Sequence, residues 1–348
     1  MSCQDGARGE SPMVVVSIAQ GHDPYRTTVE CLRELDEAGV TLPNISLVKP
    51  NLACTLDSTG CTVTNVSVCE AVFDFFKSLG NEKIACAEGA TRGHSEKPLT
   101  KTYTAFKNNG YRTIGEKVSG YLDFNTDKAG KWIKISSPGL DYDVELGIAE
   151  CVIGNSVASV AKLKTHPIGL TLTMKNMMGV LCKARRLDTR YQVCSGWKSK
   201  RFMHGWGVAS NAIPAESIPS KMALAKNLTV LAYHCKPSIG IVDGVVAMEG
   251  QGPLFGTPVN LGVVIASTDV VACDTVACEI TGFNPVGTGY IYAAGKMGLG
   301  ECSLDRIEVV GRKIEDVRHP LIQNKAFPLL KFSQESVDSI VEDVKKLV

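Results

Sequence analysis

Short apolar, β-branched runs alternate with amphipathic stretches along most of this chain. MVVVSIA (13–19) is uninterrupted in its apolar character, the pattern of a buried strand. Asp23-Pro24 then opens a helix, the carboxylate capping free amides and proline taking the first helical position. That helix runs through Val29, Leu32 and Leu35 and stops near Gly39. ISLVKPN (45–51) is a second strand, ended where proline removes a ladder donor. Asn65 caps a helix from Val66 to Leu79, whose Val68, Val72, Phe75, Phe76 and Leu79 share one face before Gly80 closes it. KIACAEG (83–89) is a third strand, and the β-α-β-α-β order predicts a parallel sheet covered on both faces.

Residues 100–109 read as a helix ended by Gly110, and WIKIS (132–136) as a strand. CVIGNSVASVAKL (151–163) is a strand-like run broken by glycine, followed by GLTLTMKNMMGVL (169–181), apolar apart from Lys175 and Asn176. Residues 182–219 lose this periodicity: they are basic, hold Trp197 and Trp206, and read as a lid-like insertion. Regular structure returns with a helix at 222–234, strands at 237–244 and 260–267, a helix at 268–282 capped by Asp269, and another at 288–297. The expected architecture is one α/β unit over 13–348, with a mostly parallel or mixed central sheet, helices on both faces and an elaborated middle segment. Residues 1–12 are expected to be a disordered lead.

Composition adds limits. The 348 residues are 44% hydrophobic and 21% charged, with a net charge of +1, so no global field would gather nucleic acid or a membrane. Anion binding must come from a local cluster. No apolar run approaches the roughly 18 residues of a spanning helix, and MSCQDGARGESP lacks the apolar core of a signal peptide. The 13 cysteines are scattered, with no CxxC and no zinc-type Cys/His spacing. Reduced thiols and a cytoplasmic location are expected.

The local cluster is AKLKTHPIG (161–169). Ligands of open parallel sheets sit beyond the carboxyl ends of the strands, and polar residues gather at those places: Lys49 and Asn51, Glu88, then Lys162, Lys164 and His166, then Asp243. Each has a plainer reading, as a solvated strand end or a turn former. Strand alternation sends Lys162 and Lys164 to one side, where like charges repel unless an anion or solvent separates them. Proline after His166 biases the chain away from helix, so Thr165 and His166 are expected on a loop, with His166 as donor or proton carrier.

Lys175 lies in an apolar run and should reach a ligand or a carboxylate, with Asp243 and Glu249 as candidates. DGVVAMEGQGP (243–253) adds Gly250 and Gly252, which let a backbone approach a ligand. The basic stretch contributes Arg185 as a bidentate clamp, with Lys198, Lys200, Arg201 and His204. Trp197, Trp206 and Tyr191 could stack on a planar ring. GxGxxG, GxxxxGK[ST] and GxSxG are all absent, which argues against a simple dinucleotide fold, a P-loop and a nucleophile elbow.

VKPNL (48–52), EG (88–89), KLKTH (162–166), MKNMMGVL (174–181), His204, VDGVVAMEGQGP (242–253) and STDVVACDTVA (267–277) resemble, in order, the motifs of the DUF362 family. The resemblance implies that Lys49, Asn51, Lys162, Lys164, His166, Lys175, Asn176, Asp243, Glu249, Gly252 and Asp274 are family-pattern positions, without naming their roles. Members are of unknown function, and many carry an appended ferredoxin-like iron–sulfur segment. That implies redox association, but no CxxCxxCxxxC run occurs here, so any electron relay must use an iron–sulfur partner protein or be absent.

Three functions fit. The first is an enzyme acting on an anionic small molecule or using an anionic, flavin-like or deazaflavin-like cofactor. Lys162, Lys164 and Lys175 would hold the anion, His166 would shuttle a proton, and Glu249 or Asp243 would orient lysines or act as base. The second is a non-catalytic cofactor carrier or docking module. The third is a divalent-metal isomerase or lyase, with Asp243, Glu249, Glu88 and His166 or His204 as ligands.

Overall fold

The computed structural model describes residues 13–91, 101–205, 217–328 and 331–348. The expected lead at 1–12 and residues 206–216, with Trp206, lie outside the described residues. The chain opens with β1 (Val14–Gln20), α1 (Pro24–Glu37), β2 (Leu47–Pro50), α2 (Val66–Ser78) and β3 (Ala85–Glu88). The expected caps at Asp23 and Asn65 are made. Asp23 Oδ1 accepts from Tyr25 N at 3.0 Å and Arg26 N at 3.1 Å, and Asn65 Oδ1 accepts from Ser67 N at 2.9 Å.

Next come α3 (Lys101–Asn108), β4 (Tyr121–Asp123), β5 (Ala129–Ile135), β6 (Val144–Ala149), β7 (Val157–His166), β8 (Gly169–Thr171) and α4 (Thr173–Asn176). β9 (Leu181–Arg186), β10 (Gln192–Ser195) and a 3-10 turn over Gly196–His204 lead to α5 (Ile218–Cys235) and β11 (Ile239–Glu249). β12 (Thr257–Val259), β13 (Val263–Ser267), α6 (Val270–Ile280), α7 (Pro285–Thr288), α8 (Tyr290–Lys296), β14 (Ile307–Gly311), α9 (Ile314–Val317) and α10 (Gln334–Lys345) complete it.

The central sheet is mixed, in the order β14-β1-β13-β11-β7-β2-β3-β4. The stretch β11-β7-β2-β3-β4 is parallel, as the alternating pattern demands, while β13 runs antiparallel to both β11 and β1. One face packs on α1, α2 and α3 through Leu32, Leu35, Val72, Phe76 and Phe106. The other carries the larger core, with α5, α6, α8 and α10 and a four-stranded antiparallel sheet, β10-β9-β6-β5.

Two expectations change. The strand expected over 151–163 starts at Val157, because Glu150–Val152 form a 3-10 turn. Thr165 and His166 lie on β7, not on a loop, since β8 pairs back in register (Lys164↔Thr171, Thr165↔Leu170, His166↔Gly169). Proline and Ile168 make the tight turn between them, and pairing satisfies the ladder that a loop would leave open. The described part of the basic stretch is built into the body of the fold. β9 pairs β6, and Phe202 and Met203 are buried in the larger core.

Candidate functional site

The carboxyl ends of β2, β3 and β7 meet over a buried polar network. Alternation puts Lys162 and Lys164 on one face of β7, as expected, but they meet different partners. Lys162 is 1% exposed and pairs with Asp243, its register neighbour on β11, at 3.0 Å. Asp243 Oδ2 also accepts from Asn65 N at 2.8 Å, at the start of α2. Lys49 pairs with Glu88 at 2.8 Å, and Glu88 further accepts from Leu52 N and Gly89 N. Two buried charges are therefore neutralised inside the fold, where each would be costly alone.

From Lys49 the network runs outward. Its Nζ donates to Asn176 Oδ1 at 2.9 Å, Asn51 Nδ2 donates to the same oxygen at 3.0 Å, and Lys164 Nζ donates to Asn51 Oδ1 at 2.8 Å and to Thr62 O at 2.6 Å. Asn176 Nδ2 is held by Lys49 O and Ser159 Oγ. Gly179 lies against the Glu88 carboxylate and the Lys49 side chain, and a Cβ there would collide with both. This close approach is what the glycine of MKNMMG supplies.

Above the network lies a cleft of about 540 Å³. Lys164, Lys175, Lys200 and Arg201 line it together with His166, His204 and Thr171, and among the described residues no aspartate or glutamate does. Trp197, Met178, Pro253 and Leu254 form an apolar wall. Lys200 donates to Gly89 O at 2.8 Å and Asn125 Oδ1 at 2.6 Å. Gly252 packs directly against Thr165 O, and Thr165 Oγ1 donates to Gly250 O at 3.0 Å, so the turn carrying Pro253 and Leu254 is fastened to β7.

Burial weakens the hold on protons here. Burial pushes Lys175 down to about 7, with Lys164 adding to the effect. Burial likewise brings Lys164 to about 8 and Lys200 to about 8, against the pull of nearby acidic groups. His166 is held well below its ordinary value by burial, then by Lys175, His204, Lys164 and Lys221. Its Nδ1 accepts from Ile168 N at 3.2 Å, so the neutral ring carries its proton on Nε2.

A family model described as a domain of unknown function, DUF362, matches residues 47–279, a span that contains the whole network and every described residue lining the cleft. The chain belongs to the DUF362 family. A Synechocystis relative, named thylakoid-associated protein sll1697, is 24% identical over 265 residues, covering 73% of this chain and 68% of the relative. No solved structure matches.

In this DUF362 chain the expected residues fall into three groups. Lys164, His166, Lys175, His204 and Asn51 line the cleft. Lys49, Glu88, Lys162, Asn176 and Asp243 lie beneath it as internal partners, and Gly250 and Gly252 form its fastened edge. Arg185, Glu249 and Asp274 are not brought to the cleft. Arg185 sits in the small sheet, bonded to Glu145 at 2.8 Å and stacked 3.9 Å over Trp132. Glu249 Oε2 accepts from Ile322 N at 2.9 Å and anchors the C-terminal segment. Asp274 caps α4, accepting from Thr173 N at 2.9 Å and Met174 N at 3.1 Å.

Thr171 was not anticipated as a cleft residue. Its position opposite Lys164 follows only once the β7–β8 pairing is known. The metal reading loses its ligand set, because Glu88 and Asp243 are paired to lysines and Glu249 to a backbone amide. Among the described residues no group of three or more His, Cys, Asp or Glu could hold a metal ion. Among them, too, no helix is long and apolar enough to cross a membrane.

Proposed function

We propose that this DUF362 protein is an enzyme that binds a carboxylate- or phosphate-bearing small molecule in the cleft over β2, β3 and β7. One observation carries the reading: three lysines and an arginine line a 540 Å³ cleft that no carboxylate among the described residues shares. An anion there would gain charge-assisted hydrogen bonds from amines already held in place. It would also restore protons that burial has loosened. Lys164 and Lys200 grip the anion, and His166 Nε2–H donates to a polar atom of the substrate. The expected role of Lys162 passes to Lys164, because Lys162 is already neutralised by Asp243.

The apolar wall of Trp197, Met178 and Leu254 supports a second reading, a carrier for an anionic cofactor with a planar ring, such as a flavin-like molecule. A cytoplasmic setting belongs to the same proposal, since the described cysteines are all free thiols. Native mass spectrometry of the protein as isolated, followed by calorimetry with pyrophosphate and simple carboxylates, tests both readings. A co-purified visible chromophore favours the carrier. Failure of every anion to bind at low ionic strength removes both.

A further inference from the structure

Lys175 differs from the other two lysines of the cleft. Lys164 and Lys200 each donate to two oxygens, whereas Lys175 makes no hydrogen bond or ion pair among the described residues. Its backbone is tightly fixed. Asp274 accepts from Thr173 and Met174 on one side, Ser159 Oγ donates to Thr173 O at 2.8 Å, and the side chain of Asn176 is locked into the network on the other. A rigid platform therefore presents a half-buried, uncommitted amine to the cleft.

Beside it, Thr171 is 3% exposed, and its buried Oγ1 has no hydrogen-bond partner among the described residues. His166, whose neutral ring carries its proton on Nε2, lines the same cleft. A buried hydroxyl, a neutral imidazole N–H and a free amine around one space are what a carbonyl group needs: a nucleophile for carbon and donors for oxygen.

We propose that Lys175 condenses with the aldehyde or ketone group of an anionic substrate, a 2-oxo acid being the simplest class, to form an imine. The nitrogen lone pair bonds to the carbonyl carbon and the C=O pair moves onto oxygen. Both amine protons end on that oxygen, which leaves as water. No oxidant or reductant is required. The adjacent carboxylate of the substrate lies among Lys164, Lys200 and Arg201, so this inference rests on the anion site proposed above. Deprotonation near neutral pH, caused by burial and by Lys164, leaves the amine competent for attack.

The test is reductive trapping of the full chain with pyruvate and cyanoborohydride at pH 7, mapped by peptide mass spectrometry, with acetone as the neutral control. With Lys175 near 7, its free-amine fraction at pH 7 should exceed that of an ordinary lysine by about a thousandfold. Even after its lower intrinsic nucleophilicity, labelling at least about tenfold faster than any other lysine is expected. Inorganic phosphate should protect Lys175, and acetone should label it more slowly than pyruvate does. Lys175→Arg and Lys175→Met, each checked for an unchanged unfolding midpoint, should lose the adduct while still binding pyrophosphate.

Labelling of Lys175 no faster than of surface lysines, with phosphate still bound, overturns the imine and leaves the anion site standing. Fast labelling that phosphate neither slows nor competes for keeps the nucleophile and removes the anion site. Failure of both removes both.

Discussion

Lys162 and Asp243 are register neighbours on adjacent parallel strands, and their charges meet 3.0 Å apart with both side chains buried. The pair is internal and does not face the cleft, so it should govern stability more than binding. Asp243→Leu strands an ammonium in the core and should cost about 3–5 kcal/mol in urea unfolding. Adding Lys162→Met should recover part of that loss. A double variant as unstable as the sum of the two single ones would refute the pairing.

Lys164 is a buried cation lining the cleft, and the proposed reading makes it a ligand contact. Lys164→Met should weaken binding of pyrophosphate about ten- to hundredfold, the worth of a hydrogen bond to a charged group. Wild-type affinity should also fall more steeply with added NaCl than that of the variant. Unchanged binding by calorimetry would reject Lys164 as a ligand contact.

Protonation should accompany binding. Lys164 and Lys200 sit near 8, and a bound anion favours their charged forms. Binding at pH 8 should therefore take up protons, and affinity should decline as pH rises from 7 to 9. His166 stays neutral throughout this window, its affinity for a proton being depressed. Calorimetry in two buffers of different ionisation heat reads the proton count directly; a net release would contradict the charge assignment.

Asp274 gives a separate stability signature. Burial lifts its carboxyl to about 7 despite donors from Thr173 and Met174. A raised folded-state value means the unfolded chain gives up this proton first. Stability from this group is thus fullest below about 4 and is lost as pH rises toward 7. In Asp274→Asn that decline should vanish from urea midpoints measured over this range. An identical pH slope in both proteins would show that the carboxyl is not held protonated.

Local chemistry was readable in the sequence where it is settled by near neighbours. Asp23-Pro24 and Asn65 announce their helices because a cap needs only the next three amides. The clustering of Lys164, His166 and Lys175 was visible for a similar reason: strand and short helix follow one another closely. What could not be read was partnership across the sheet. Lys162 and Lys164 look alike in sequence, yet one meets Asp243, 81 positions away, and the other meets Asn51, 113 positions away. Register alone separates a neutralised lysine from one that lines the cleft. The small antiparallel sheet was hidden for the same reason, since 129–149 and 181–195 pair across two intervening strands and a helix. Arg185 consequently looked available when it is stacked on Trp132.

A lysine usually meets its ligand at the end of a loose four-carbon arm, and closing on the guest freezes motion worth about 1.5–2 kcal/mol. Lys164 has already surrendered that motion to Asn51 and Thr62 during folding. Whatever enters the cleft meets a stationary charge, and recognition becomes a matter of shape and distance instead of capture by a moving tether.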